Sequence, residues 1–265
     1  RGHAGDLEGA LRELCRVEEM QDRAGTLQAP EGASLLAQIA SLHARLGDAE
    51  AALGYFERAR EIRQLTATLD TPHGVALLQS LSFVQGQLGH VDGQLESLTS
   101  AKDILARLGC SESLHGADLQ TSLALVEWRR GDLRQAEVHF SVAREIRGKA
   151  NDLQTEEGAE LLTHYGSVKA QLKDVDGAFA AFQAAQDVHV RLGTLESEKG
   201  ASLLTKIAFL KEQGGDLAAA FGYLKIATDI RKHHGLLETS EGDLLQAKLR
   251  EVKQAIQEGA AGRDA

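Results

Sequence analysis

Residues 47–74 read GDAEAALGYFERAREIRQLTATLDTPHG, and the signals in this stretch return every 42 residues along the chain. The Gly-Asp pair that opens it keeps this spacing, without an insertion or deletion, from residue 5 to about residue 257. A fixed period of this length indicates a repeat architecture, in which each repeat packs against its neighbours. This 42-residue spacing, which we call the repeat grid, places the pair or its replacement at Gly5-Asp6, Gly47-Asp48, Gly89-His90, Gly131-Asp132, Lys173-Asp174 and Gly215-Asp216.

Each repeat predicts two helices, which we call helix B and helix A in chain order. Asp48 is a good N-cap for the amphipathic segment that runs to Thr66, because its carboxylate can accept from the first N–H groups of a helix. This helix B of about 18 residues ends at a residue that tolerates the left-handed conformation. A serine or threonine then caps helix A of about 15 residues, and Pro72 and its equivalent Pro30 directly follow the cap position. The predicted ends of helix B are Gly25, Ala67, Gly109, Asn151, Gly193 and Gly235, and the predicted caps of helix A are Thr71, Ser113, Thr155, Ser197 and Thr239.

A glycine occupies the first turn of helix A in all six repeats. Glycine lowers helix stability at such a place, so its repetition predicts close approach to a neighbouring backbone. A frayed helix start is the alternative explanation. The column consists of Gly32, Gly74, Gly116, Gly158, Gly200 and Gly242.

Large and small residues alternate within a repeat, as in Leu36, Ile39, Ala40, Ala52, Phe56 and Ala59. This alternation resembles the tetratricopeptide pattern, in which small residues let two helices approach and large ones fill the gap beside them. The longer unit, the Ala59-x-x-Ile62 spacing and Leu108-Gly109 before the link resemble the kinesin-light-chain type of this repeat. The resemblance implies an all-α fold, a right-handed superhelical solenoid of stacked antiparallel helix pairs with about twelve helices. The same places of another repeat hold Leu162, Tyr165, Gly166, Ala178, Phe182 and Ala185.

The resemblance also implies a general protein-binding role. Chaperone-binding repeats of this family carry Lys and Asn on helix A, and kinesin-light-chain repeats carry many Asn there. The corresponding faces here carry Ser, Thr, Gln, Ala and Phe. We therefore expect a protein partner without the chaperone or cargo specificity of those relatives.

The grid predicts one solenoid over residues 1–258, followed by a disordered tail at residues 259–265. Residues 1–4 read as the end of a lost helix A, so we expect the parent protein to extend further in the N-terminal direction. Residues 240–258 read as a final helix A. Repeats in phase are expected at residues 33–74, 75–116, 117–158, 159–200 and 201–242, with partial repeats at both ends.

Composition restricts the classes of partner. The net charge of −10 disfavours nucleic acid and anionic membrane surfaces, because binding to either needs a basic patch. No apolar run approaches the roughly 18–20 residues that span a bilayer, so no membrane insertion is expected. Cys15 and Cys110 lie in no metal-binding or disulfide pattern, which favours a reducing compartment and a cytoplasmic location.

The sequence lacks the usual motifs of catalysis. None of the ten histidines forms a metal-spaced pair on one helix, and no phosphate-binding or nucleophile motif occurs. A column of carboxylates on helix B repeats six times, whereas an active site is usually unique, so we expect hydrogen bonds or ion pairs between adjacent B helices. We predict no enzyme activity, no catalytic residue, no metal site and no cofactor. The column is Glu19, Glu61, Asp103, Glu145, Asp187 and Asp229.

The resemblance implies that the A helices line a concave groove for a peptide or partner segment. At the places that should face it, the side chains are mostly small and polar, with an apolar stripe that includes Trp128, the single tryptophan. A large aromatic in a groove is a plausible anchor, although packing against the preceding helix B is the alternative. The candidate partner-binding residues are Gln79, Phe83, Thr121, Leu125, Trp128, Thr163, Ser167, Thr205 and Phe209.

The sequence thus favours a non-catalytic scaffold for protein–protein interaction. The alternative is a structural subunit or array within a larger assembly, which contacts its neighbours through its ends and its convex face.

Overall fold

The computed structural model describes the backbone of residues 2–261 and the side chains of residues 6–258. Over this range the chain forms twelve α-helices, one short 3-10 helix and no β-strand. The helices are α1 (Gly2–Arg23), α2 (Pro30–Leu46), α3 (Ala49–Leu65), α4 (Pro72–Gln87), α5 (Val91–Arg107), α6 (Leu114–Arg130), α7 (Leu133–Lys149), η1 (Asp152–Gln154), α8 (Glu156–Gln171), α9 (Val175–Leu192), α10 (Glu198–Gln213), α11 (Leu217–His233) and α12 (Ser240–Ala261).

The chain divides into two compact units, residues 1–132 and residues 133–265. The even-numbered α-helices are the A helices and the odd-numbered ones are the B helices. In unit 1, α2 packs on α3 and α4 packs on α5, while unit 2 repeats this arrangement with α8 on α9 and α10 on α11. The short links make the partners antiparallel. The A helices also meet each other, α2 with α4 and α8 with α10, so they share one face of each unit.

The interior of each repeat is built from the predicted alternation of large and small side chains. Ala40, Ala52 and Ala59 are fully buried, and their small volume lets α2 and α3 approach closely enough to enclose Phe56. In unit 2, Ala178 and Phe182 are buried in the same way. The predicted all-helical class and helix pairing are therefore confirmed.

The helix caps and the left-handed residues at the helix ends occur where the sequence predicts them. Each predicted end of helix B has a positive φ, including the non-glycine residues Ala67 at 53° and Asn151 at 56°. Asp48 accepts from the backbone N–H of Ala51, while His90, which replaces the aspartate in the next repeat, makes no such side-chain bond. The predicted Ser and Thr caps of helix A all accept from a backbone N–H three residues later.

The donor to each of these caps is the glycine of the repeated column. A Cβ atom built on Gly200 would overlap the backbone carbonyl of Leu195, because the link folds back against the first turn of α10. The other five glycines of the column face the carbonyl five residues earlier in the same way. The predicted close backbone approach is confirmed, and the column is part of an ordered helix start.

Two expectations at the chain ends differ from the structure. Residues 2–5 continue into α1, so no helix boundary forms at Gly5-Asp6. Four residues are too few to make a helix of their own, and extending α1 gives the N–H groups of its first turns intrahelical partners. At the other end, α12 continues through Ala261, and residues 262–265 of the expected tail lie outside the described residues.

The carboxylate column does not bridge adjacent B helices in the hydrogen bonds or ion pairs that the structure shows, so that prediction is wrong. Glu19 pairs with Arg23 at 3.3 Å and Glu145 with Lys149 at 3.0 Å, each one turn away on the same helix. The column lies on the exposed side of helix B, where residues one turn apart are the nearest charges. Helices α1 and α3 are bridged instead by Glu18 Oε1 and Arg58 Nη1 at 2.9 Å.

We expect Gly200→Ala to destabilise the protein by more than about 2 kcal/mol, because the added methyl group must displace the link backbone. Gly222→Ala is the matched control, since its Cβ would have no neighbour within 4 Å inside α11. This control should be neutral or stabilising by up to about 1 kcal/mol. Urea unfolding followed by circular dichroism measures both, and equal midpoints for the two variants would contradict the close-approach account.

Ala67→Gly should stabilise the protein by about 1 kcal/mol, because glycine removes the cost of a Cβ in the left-handed conformation. The comparison is Ala76→Gly, an exposed position inside α4, which should destabilise by a similar amount. The same unfolding assay applies. A loss of stability in Ala67→Gly would show that the left-handed turn is not the source of strain.

Candidate partner-binding surface

In unit 1 the candidate residues lie on α4 and α6. Phe83 is 61% exposed, although Leu81 and Val84 on the same helix are almost completely buried. The periodicity of α4 thus sends Leu81 and Val84 into the core and Phe83 away from it. Gln79, one turn before Phe83, is half-buried, as are Thr121, Leu125 and Trp128 on α6.

In unit 2 the candidates lie on α8 and α10. Thr163, Thr205 and Phe209 are half-buried and retain accessible surface. Ser167 is 9% exposed, and its hydroxyl donates to the carbonyl of Thr163 at 2.9 Å. Ser167 therefore presents less accessible surface than the other candidates do.

The threonines of this surface already use their hydroxyl protons. Thr121, Thr163 and Thr205 each donate to the carbonyl four residues earlier, at 2.8 to 2.9 Å. A hydroxyl bonded in this way keeps its lone pairs, so it can still accept from a donor on another molecule. These side chains therefore suit a partner that presents N–H or O–H groups.

A cavity lies between consecutive A helices at equivalent places in the two units. The cavity between α2 and α4 has a volume of about 240 Å³, and its wall includes Ser34, Arg63 and His73. The cavity between α10 and α12 has a volume of about 230 Å³, and Ser202, Arg231 and Glu241 take the same places there. Phe209 and Thr205 also line this second cavity.

The buried arginines at these cavities were not among the residues predicted from sequence. Arg63 and Arg231 are the last buried side chains of α3 and α11, directly after Ile62 and Ile230. The repeat grid holds the signal, because Arg147 occupies the same place in α7. Three arginines at one place of the repeat, each directly after a buried isoleucine, would have indicated a buried charge.

Charge on the A helices of unit 2 is balanced by short ion pairs. Lys199 Nζ lies 2.6 Å from Glu160 Oε2, and this bond lowers the pKa of the Glu160 carboxyl below its ordinary value. Burial lowers the pKa of the His164 imidazole and of the Lys206 ammonium. The arrangement provides polar groups fixed on rigid helices, which suits recognition of another molecule.

The described residues place limits on other functions. Among residues 6–258, no three His, Cys, Asp or Glu side chains come together as a metal ion would require. Across the part of the chain that the structure describes, every helix is too short or too polar to cross a membrane.

Comparison with solved structures establishes the class of fold. BtubC, also called BKLC, from P. vanneervenii has a TM-score of 0.69 at 18% identity, over 86% of this chain and 92% of that chain. A candidate kinesin light chain from Podosopora anserina with nearly identical TPR-like repeats has a TM-score of 0.66 at 16% identity, over 77% of this chain and 97% of that chain. YrrB, a TPR protein with an unusual peptide-binding site, has a TM-score of 0.54 at 17% identity, over 76% of this chain and 88% of that chain.

The chain thus has the tetratricopeptide-repeat fold, with structural neighbours that include the kinesin-light-chain-like form, as the sequence predicts. No protein-family model matches the chain, and no curated protein matches its sequence.

Phe83→Ser should leave the free energy of unfolding within about 0.5 kcal/mol of the wild-type value, because the ring contributes little to the core. Leu81→Ala, two residues away and fully buried, should cost about 2–5 kcal/mol. Urea unfolding of both variants tests the assignment of Phe83 to the surface. Comparable losses in the two would place Phe83 in the core.

Proposed function

We propose that this chain is a non-catalytic protein-binding scaffold, which holds a peptide or partner segment on its A-helix surface. The observation that carries this proposal is Phe83, a large aromatic side chain that the fold leaves mostly exposed on α4. An aromatic ring exposed on a rigid helix supplies apolar area at little further cost in side-chain entropy. Gln79 lies one turn away and adds an amide that can both donate and accept.

The chemistry around Phe83 supports an extended or helical segment as the ligand. Thr121 presents acceptor lone pairs on α6, and Leu125 and Trp128 add apolar surface there. A polypeptide offers backbone N–H donors together with apolar side chains, which matches such a mixture. The printed description of YrrB, a protein of the same fold, also refers to a peptide-binding site.

A second candidate function is a structural subunit within a larger assembly, which would use the B helices. Leu65 at the end of α3 is 83% exposed, and Met20, Val190 and Ile226 are also exposed on B helices. Apolar side chains of this size can contact a neighbouring subunit. This candidate predicts partners that persist when the A-helix surface is changed.

Two further proposals follow from the sequence. We infer that nucleic acid is not the partner, because the net charge of −10 opposes phosphate binding. Cys15 and Cys110 are both free thiols, which supports a reducing compartment such as the cytoplasm.

Affinity capture from a native extract distinguishes the two surfaces. The bait proteins are the wild type, the A-surface variant Phe83→Ser with Trp128→Ala, and the B-surface control Met20→Ser with Leu65→Ser. Circular dichroism and the unfolding midpoint first establish that each bait is folded. We expect the wild type and the control to retain the same partners and the A-surface variant to lose them, with binding of purified partner weakened at least about tenfold.

Persistence of the partners on the A-surface variant would overturn the scaffold proposal. If the same partners were lost from the Met20→Ser, Leu65→Ser control, the assembly function would replace it. Analytical ultracentrifugation of the wild type then measures whether the chain associates with itself through that surface.

A further inference from the structure

The three arginines of the buried column are the most deeply buried cations that the structure describes. Arg63 and Arg147 are each 7% exposed, and Arg231 is 4% exposed. A guanidinium removed from water loses its hydration, so it needs a counter-charge or a full set of acceptors in the protein. The partners of the three side chains can be compared directly, because the repeat gives them the same surroundings.

Two of the three arginines pair with a carboxylate of their own repeat. Arg147 Nη1 binds Asp152 Oδ2, which η1 provides, and Arg231 Nη2 binds Glu241 Oε2 at the start of α12. The carboxylate lies five residues beyond Arg147, in the link, and ten residues beyond Arg231, in the first turn of the following helix A. The fold therefore has two positions from which an acidic side chain reaches this column.

Neither position carries an acid near Arg63. On the repeat grid, Thr68 takes the place of Asp152, and His73 takes the place of Glu241. The hydrogen-bond partners of Arg63 are neutral: Ser34 Oγ at 3.0 Å and the Thr68 carbonyl at 3.5 Å. Its Nε atom is buried without a partner, and within residues 6–258 no carboxylate oxygen lies within 4.0 Å of its guanidinium.

Arg63 faces the cavity between α2 and α4. The side chains that line this cavity include no acidic residue, whereas Glu241 lines the equivalent cavity in unit 2. His73 and Gln38 add polar groups to the wall, and Ala37 and Ala76 leave room beside them. The volume of about 240 Å³ is sufficient for one side chain with a carboxylate.

We propose that Arg63 and the surrounding cavity bind the carboxylate of a glutamate side chain on the partner segment. This inference rests on the proposed A-helix scaffold and specifies the ligand chemistry at one of its cavities. Glutamate is the occupant to which we commit, because a glutamate side chain, that of Glu241, pairs with Arg231 at the equivalent position. A buried arginine donates a stronger hydrogen bond to a carboxylate than to the neutral oxygens that accept from Arg63 now.

The direct test is a titration of the whole chain, observed at the Arg63 Nε–Hε resonance by ¹H–¹⁵N NMR. The probe is N-acetyl-glutamate N-methylamide, which carries only a side-chain carboxylate, and N-acetyl-glutamine N-methylamide is its neutral control. We expect a saturable shift of the Arg63 resonance with a Kd on the order of 1–10 mM for the glutamate probe. The glutamine probe should produce none.

Three variants connect this binding to Arg63. Arg63→Leu reproduces Leu105, the residue at the same place in the next repeat, and His73→Glu reproduces Glu241. Both should weaken binding of the glutamate probe at least about tenfold, the first by removing the cation and the second by occupying it. Binding to these variants is followed through the backbone amides of α2 and α4. Arg45→Gln removes an exposed arginine of α2 and one positive charge, and it should leave the affinity unchanged.

The variants also test whether a glutamate at position 73 pairs with Arg63 within the chain. His73→Glu should raise the unfolding midpoint more in the wild-type background than in the Arg63→Leu background, because only the former holds the cation. A double-mutant cycle without coupling would show that position 73 does not reach Arg63, and it would overturn the equivalence with Arg231.

Several outcomes separate this inference from the scaffold function. No movement of the Arg63 resonance at glutamate-probe concentrations about tenfold above the expected Kd would overturn the carboxylate site. If N-acetylglycine bound and the glutamate probe did not, a C-terminal carboxylate would replace the glutamate side chain as the ligand. If partners still bind the Arg63→Leu variant but do not bind the Phe83→Ser, Trp128→Ala variant, the scaffold proposal stands and the role of Arg63 is overturned.

Discussion

In each repeat, the close approach of one glycine to the preceding link fixes the direction of helix A. The link carbonyl lies where the Cβ of Gly74 or Gly200 would be, and the glycine N–H bonds to the hydroxyl of Thr71 or Ser197. The two contacts together hold the link against the first turn of helix A, so the direction in which that helix leaves is fixed. The pairing of helix A with the preceding and following B helices depends on this direction.

A repeated backbone of this kind gives each repeat the same positions and lets the side chains differ. The arginine column shows the consequence most clearly. Arg231 pairs with a carboxylate of its own chain, that of Glu241, whereas Arg63 has neutral partners in the same surroundings. The difference comes from one residue in the first turn of the following helix A, Glu241 in one repeat and His73 in the other. Such a change leaves the core intact, so recognition can vary between repeats without loss of the fold.

The two faces of the helix pairs have different chemistry. The A helices carry hydroxyls committed to their own backbone, half-buried aromatics and cavities of about 230 to 240 Å³. The B helices carry a column of exposed carboxylates that pair along their own helix, with single exposed apolar residues such as Leu65. The A helices therefore combine apolar surface, cavities and a few polar groups that hydrogen bonds hold in place.

The sequence by itself determined the period, the helix pairs, their caps and the left-handed ends, and it left close backbone approach and a frayed helix start both open at the glycine column. The caps and the left-handed ends depend on residues three to five apart, so local chemistry is sufficient to predict them, and their return every 42 residues gives the period and the helix pairs. Only the tertiary structure decided that Phe83 is exposed while Ser167 is buried, although both occupy the same place in helix A. It also brought Ser34 to Arg63 across 29 residues and left that arginine without a carboxylate. Burial and ion pairing depend on which neighbouring helix covers a side chain, and the spacing of residues along one helix does not contain that information.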